Sequence, residues 1–140
     1  MSLKTEFNPI TGDFDLVLEP YVTQTATTTD ATLTPVSGSK TITANTTTAF
    51  KTVIVGRRTN APLGNIYHYE VIGSVKNVSG VLTLGNITGT TYTEDDALGI
   101  DVTTGNAISV SVSGSNLDFG ITGASATSIT WKLETTFTEI

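Results

Sequence analysis

The chain has 140 residues, no cysteine, a formal net charge of −6 and only 14% charged residues. Disulfides and thiolate metal sites are therefore excluded, and the acidity argues against nucleic acid, whose phosphates it would repel. No apolar run approaches the ~20 residues of a membrane-spanning helix, and the opening MSLKTEFNPI lacks the apolar core of a signal peptide, so no membrane span and no export signal are expected. Threonine occurs 29 times. Its branched Cβ favours extended backbone and its hydroxyl tolerates a wet surface. Helix formers never gather into a 3.6-residue period, so the expectation is an all-β chain.

Residues 1–20 read as an arm. Asn8-Pro9 and Thr11-Gly12-Asp13 make a turn. Phe14, Leu16 and Leu18 then alternate with Asp13, Asp15 and Val17 as one short strand, cut off by Glu19-Pro20. A lone strand is not stable in water, so it must lie on the domain or on a partner chain. Residues 21–38 are a threonine cluster with little apolar surface to offset ordering entropy. They read as an extended linker with one short strand near 31–34.

Residues 39–140 read as the folded domain. Strands are expected at 40–44, 49–57, 66–76, 81–84, 100–103, 107–113, 117–121 and 129–139. Between them stand Gly and Asn turn residues such as Ser79-Gly80 and Gly114-Ser115-Asn116. In the second strand both faces are apolar: Phe50 and Ile54 on one, Val53 and Val55 on the other. That pattern suits a strand covered by a second sheet and by another subunit or loop. In the third, Tyr67, Tyr69, Val71 and Val75 share the inward face, while His68, Glu70, Ser74 and Lys76 face out. Gly73 interrupts this strand and marks a bulge or a close backbone approach. The last strand turns Ile129, Trp131, Leu133 and Phe137 inward, with Trp131 in the core. Eight short strands with turns roughly every ten residues predict an antiparallel β-sandwich of jelly-roll type with an extended N-terminal arm.

Chemistry is sparse. His68 is the only histidine and has no cysteine or second histidine to form a metal or catalytic set, so a solvent-facing or interface role is expected. Glu94-Asp95-Asp96, with Asp101 close by, lacks calcium-loop spacing and reads as a solvated loop, with a bound cation left open. Arg57-Arg58 reads as a loop anchor, with an anionic surface or a neighbouring subunit as the sharper alternative. The Asn-x-Ser/Thr triplets at Asn45, Asn77 and Asn86 read as coincidences of a threonine-rich chain. No cofactor, metal or catalytic residue is expected, and the chain is expected not to be an enzyme.

From Thr48 onward the sequence resembles a β domain of tailed-bacteriophage structural proteins. The resemblance is carried by the apolar strand ending VGRR, by IYHYEVIGSVKNVSGVLTLG, by the TEDDA segment, by ISVSVSG and by the closing SITWKLETTFTEI. The opening FNPITGDFDLV resembles the start of phage fibre and baseplate-associated proteins, where this end meets the virion. The resemblance implies a virion surface protein assembled in the bacterial host cytoplasm. It implies a homotrimeric tail fibre or baseplate appendage bound to other virion proteins. Attachment then falls to Asn8, Pro9, Phe14, Leu16 and Leu18, and subunit contact to Phe50, Val53, Ile54 and Val55. Two alternatives stay open: a capsid decoration protein on the major capsid protein, and a host-glycan-binding module using Tyr67, Tyr69 or Tyr92.

Overall fold

The computed structural model describes residues 3–8, 13–18, 21–36, 40–61, 63–94 and 108–140. Among them every regular element is a strand and every pairing is antiparallel. The large sheet has the order β3 (Tyr21–Thr28), β12 (Ile129–Glu139), β6 (Thr46–Arg58), β7 (Ile66–Val78), β8 (Val81–Leu84). On the same edge of β7, β9 (Thr88–Glu94) pairs alongside β8. The small sheet joins β10 (Ile108–Ser113), β11 (Asn116–Thr122) and the short strands β4 (Leu33–Pro35) and β5 (Lys40–Thr41), both paired to β11. Apart from both, β1 (Leu3–Asn8) pairs β2 (Asp13–Leu18) as a hairpin. The all-β, antiparallel part of the expectation holds. The strand order by itself does not establish jelly-roll wiring.

One core lies between the sheets. The large sheet contributes Phe50, Ile54, Tyr67, Tyr69, Val71, Ile129, Trp131 and Leu133, and the small sheet Ile108, Leu117, Phe119 and Ile121. Phe50 and Phe119 meet edge to face across the layers, with ring centroids 5.9 Å apart. Trp131 is fully buried at the centre. It packs on Tyr67 at 5.3 Å and on Tyr69 at 6.3 Å, and its Nε1 donates to Thr28 Oγ1 at 2.9 Å. An aromatic of this size fits because its cross-strand partner is Gly56. A Cβ there would lie 2.5 Å from Trp131 Cζ3. Gly73 plays the same part opposite Phe50, where a Cβ would come within 2.7 Å of Phe50 Cζ. Of the two readings open for Gly73, the close approach is the one found.

Turn chemistry closes the hairpins as expected. Ser79 (φ 51°) and Gly80 (φ 88°) both take positive φ between β7 and β8, as a two-residue type I′ turn requires. Buried Asn77 anchors this corner. Its Oδ1 accepts from Gly80 N at 2.9 Å and its Nδ2 donates to Ile42 O at 2.8 Å.

Three segments depart from the sequence reading. Residues 21–28, expected as linker, form β3 and pair with β12 from Thr28↔Ile129 to Tyr21↔Thr136. Inward positions there are held by Val22, Gln24, Ala26 and Thr28, so polar groups interrupt the apolar alternation that marks a half-buried strand. Threonine's extended-backbone preference and a long partner strand suffice without it. The arm holds two strands where one was expected, because β1 supplies the partner that β2 lacked. Thr88–Glu94 forms β9 with little apolar content, recruited by the free edge of β7. The expected strand at 100–103 lies outside the described residues.

Candidate functional site

The outward face of the large sheet is the part of the molecule that its own fold leaves unexplained. Strand periodicity sends Phe50, Thr52 and Ile54 of β6 inward and Lys51, Val53, Val55 and Arg57 outward. The same alternation on β7 turns out Ile66, His68, Glu70, Ile72 and Lys76. Register aligns these into rows across the sheet. Lys132, Val55, His68 and Thr93 form one row, and Glu134, Val53, Glu70 and Thr90 the next. Val55, Ile66 and Ile72 are each about half exposed (50%, 49% and 50%). Isolated exposed apolar groups are ordinary; a set gathered on one face is not. Between the two rows Val53, Val55, Lys132 and Glu134 line a shallow depression of about 290 Å³.

A bulge completes this face. His68 pairs with Thr93, but Tyr69 pairs with Thr91, which leaves Tyr92 as the extra residue of β9. Without the bulge, Tyr92 would oppose Tyr69 and take the inward face. With it, Tyr92 is 55% exposed and its ring stacks on His68 at 4.8 Å and 25°. Tyr92 is thus presented on the outer face with one ring surface backed. Ion pairs flank the rows, Lys51 with Glu70 at 3.4 Å and Lys132 with Glu134 at 3.2 Å. The described side chains of this face include four cations (Lys51, Arg57, Lys76, Lys132) and two carboxylates (Glu70, Glu134). In a chain of net charge −6, this face is locally basic.

The expected site residues divide. Val53 and Val55 stand on this face. Phe50 (3% exposed) and Ile54 (0%) do not: the inward half of β6 belongs to the core, which corrects their place in a subunit contact. Of the three tyrosines considered as glycan platforms, Tyr67 and Tyr69 are fully buried and are corrected in the same way; Tyr92 remains. Asn8, Phe14, Leu16 and Leu18 fall in the β1–β2 hairpin, where register aligns Phe14 with Phe7, Leu16 with Thr5 and Leu18 with Leu3. Pro9, Asp95, Asp96 and Asp101 lie outside the described residues. His68 is half-buried against Tyr92, and among the described residues no cluster of His, Cys, Asp or Glu could hold a metal.

The two arginines separate. Arg58 anchors a loop, donating from Nε to Asn60 Oδ1 and from Nη2 to Ala61 O, both at 3.0 Å. Asn60 in turn ties this loop to the one before β12, through Ala126 O at 3.1 Å and Ser128 N at 3.0 Å. Arg57 faces outward and is exposed. A second depression, of about 380 Å³, lies over Gly120 on the small sheet, walled by Leu33, Pro35, Ser109, Ser111 and Asp118. Sequence reasoning missed the Tyr92–His68 stack. The bulge that creates it leaves no trace in TGTTYTE beyond one tyrosine among threonines.

No family model matches the chain, and no curated protein matches it. Solved structures do. A tailspike protein from an Acinetobacter baumannii bacteriophage, described as a capsular polysaccharide depolymerase, aligns over 97% of this chain at 15% identity with a TM-score of 0.44. An Acinetobacter phage tailspike aligns over 86% at 17% identity and TM-score 0.43. Another Acinetobacter baumannii phage tailspike aligns over 83% at 10% identity and TM-score 0.36. The chain spans only 19%, 21% and 26% of these three proteins. This is a loose likeness of β architecture, and it assigns no role to any residue here. It does correct one expectation. The chain was expected not to be an enzyme because catalytic motifs are missing, yet a structure it resembles is an enzyme by its own description. That exclusion is withdrawn.

Proposed function

We propose that this chain is a tail-associated structural component of a bacteriophage virion, attached to a neighbouring chain by its N-terminal hairpin and displaying the two-sheet domain outward. One observation carries the reading. The β1–β2 hairpin pairs with itself and makes no extended contact with the described strands that build the core. A two-stranded hairpin alone is marginal in water, so this one is a docking element in search of a surface. The opening FNPITGDFDLV supports a tail position, since it resembles the virion-bound end of fibre and baseplate proteins. The assembly is proposed as a trimer, which supplies avidity at the host surface.

Particle assembly tests this. Phage carrying a chain without residues 1–20 should lack the protein in purified virions, while the same truncated chain stays folded when made alone. Normal incorporation of the truncated chain would remove the docking role and the proposal with it.

One observation favours a second task for the same appendage. Tyr92, held on the outer face and backed by His68, is an aromatic platform of the kind on which sugar rings stack. Host-surface polysaccharide is the matching ligand class. Tyr92→Ala should then slow adsorption to host cells while leaving virion composition unchanged; unchanged adsorption would discard this task alone.

A further inference from the structure

Across the core from the Tyr92 face, the small sheet turns its own outer face away from the large one. Strand alternation sends Leu117, Phe119 and Ile121 of β11 and Ile108 and Val110 of β10 into the core. It turns out Ser109 and Ser111 of β10, Asp118 and Gly120 of β11, and Leu33 and Pro35 of β4. Register places Ser109, Gly120 and Pro35 in one row and Ser111 beside Asp118 in the next. These six residues surround the cleft of about 380 Å³. Gly120 keeps its floor open. A Cβ there would stand 3.0 Å from Leu33 Cδ1 and 3.4 Å from Ser109 Oγ, in the gap between the apolar wall and the hydroxyl wall.

The polar groups of this cleft are not used by the fold. Among the described residues Ser109, Ser111 and Asp118 have no hydrogen-bond or ion-pair partner. Lys40, the one cation on the described strands of this sheet, is engaged elsewhere, over the Phe137 ring at 5.3 Å from its centroid. We propose that the cleft binds a primary alkylammonium group, carried by a lysine side chain of another chain or by a free alkylamine. An ammonium group has three donors and no acceptor. Here it meets a carboxylate and two hydroxyls, all able to accept. Its carbon stem lies against Leu33 and Pro35, as lysine stems cover apolar surface while the charged head stays among polar groups. The charge-assisted bond to Asp118 is the strongest single contact, and the net charge of −6 draws cations to the chain.

Other ligand classes fit less well. A wholly apolar ligand would desolvate the carboxylate without replacing its hydrogen bonds. An anion would be repelled by Asp118. A calcium ion takes six to eight oxygen ligands, and no described cluster of carboxylates supplies them. A sugar ring would find no aromatic face to stack on, because the Phe119 ring points into the core against Phe50. The inference does not depend on the docking role proposed for the hairpin.

Titration of the isotope-labelled full chain, followed by amide NMR, tests it. The probes are butylamine, Nα-acetyl-lysine methylamide and cadaverine, with butanol as the neutral match. The expected result is saturable shifts at Ser109, Ser111, Asp118 and Gly120, with a dissociation constant on the order of millimolar for the amines. Butanol should bind about tenfold more weakly or worse. Asp118→Asn should weaken amine binding by about tenfold. Gly120→Ala should weaken it too, by filling the floor, while its melting temperature stays close to that of the parent. Tighter binding of the lysine amide would assign the group to a protein partner, and tighter binding of cadaverine to a free polyamine; both support the site. Absence of saturable shifts with every amine overturns the inference. So do equal binding of butanol and unchanged affinity in Asp118→Asn. Shifts at these amides produced by a neutral sugar and not by the amines would give the cleft to a glycan and overturn it equally.

Discussion

Gly56→Ala places a methyl group against Trp131, the largest fully buried side chain among the described residues. The new Cβ would sit 2.5 Å from Trp131 Cζ3 and 2.6 Å from Cε3. Carbon contacts settle near about 3.5 Å, so roughly 1 Å must be found. The indole has little freedom to yield, being packed on Tyr67 and Tyr69 and tethered through Nε1 to Thr28. Overpacking of this kind costs about 1–3 kcal/mol. Loosening the tether adds about 1 kcal/mol. Against this, alanine restrains the unfolded chain and regains about 0.5–1 kcal/mol. The expected net loss is about 1–3 kcal/mol, read as a fall in melting temperature of about 2–4 °C per kcal/mol for a domain of this size. Trp131 is the only tryptophan, so urea unfolding followed by its fluorescence reports the site directly. Gly120→Ala is the control. Its Cβ would meet the end of Leu33, 3.0 Å away, a side chain 51% exposed and free to move. It should stay within about 0.5 kcal/mol of the parent. Equal losses for the two substitutions would refute the packing argument and point to strand propensity instead.

The buried threonines make further predictions. Thr52 and Thr135 share a hydrogen bond of 2.8 Å between their hydroxyls inside the core. Thr52→Val alone should cost about 1–2 kcal/mol by stranding its partner, whereas the double change to valine should be near neutral, as a double-mutant cycle would show. Thr48 Oγ1 is buried without a partner, so Thr48→Val should stabilise by about 1 kcal/mol in thermal unfolding. Asn77→Ala removes both bonds at the β7–β8 corner and should cost about 2–3 kcal/mol, measured as a lower urea midpoint.

Where side chains alternate between apolar and polar, the sequence led straight to the structure. The inward sets of β7 and β12 match residue by residue, and β12 begins and ends where it was expected. The two-sided apolar pattern of β6 was also legible, since Val53 and Val55 stand outside while Phe50 and Ile54 fill the core. What could not be read was pairing that owes little to apolar burial. β3 fills its inward positions with Gln24 and Thr28, polar groups whose place is set by β12 and by the Trp131 indole. β9 forms on an edge that β7 leaves open, and its bulge decides on which side Tyr92 emerges. A strand's period is written in its own residues; its partner and its bulges depend on residues far along the chain. The candidate site shares this division. Its β6 and β12 rows follow from alternation, and its aromatic corner follows from a bulge.

Imaging of intact virions tests the proposed tail role most directly. The expected result is three-fold density for this chain at the tail, with residues 1–20 buried against a neighbouring chain. Density spread over the capsid lattice, or particles that do not contain the chain, would contradict it.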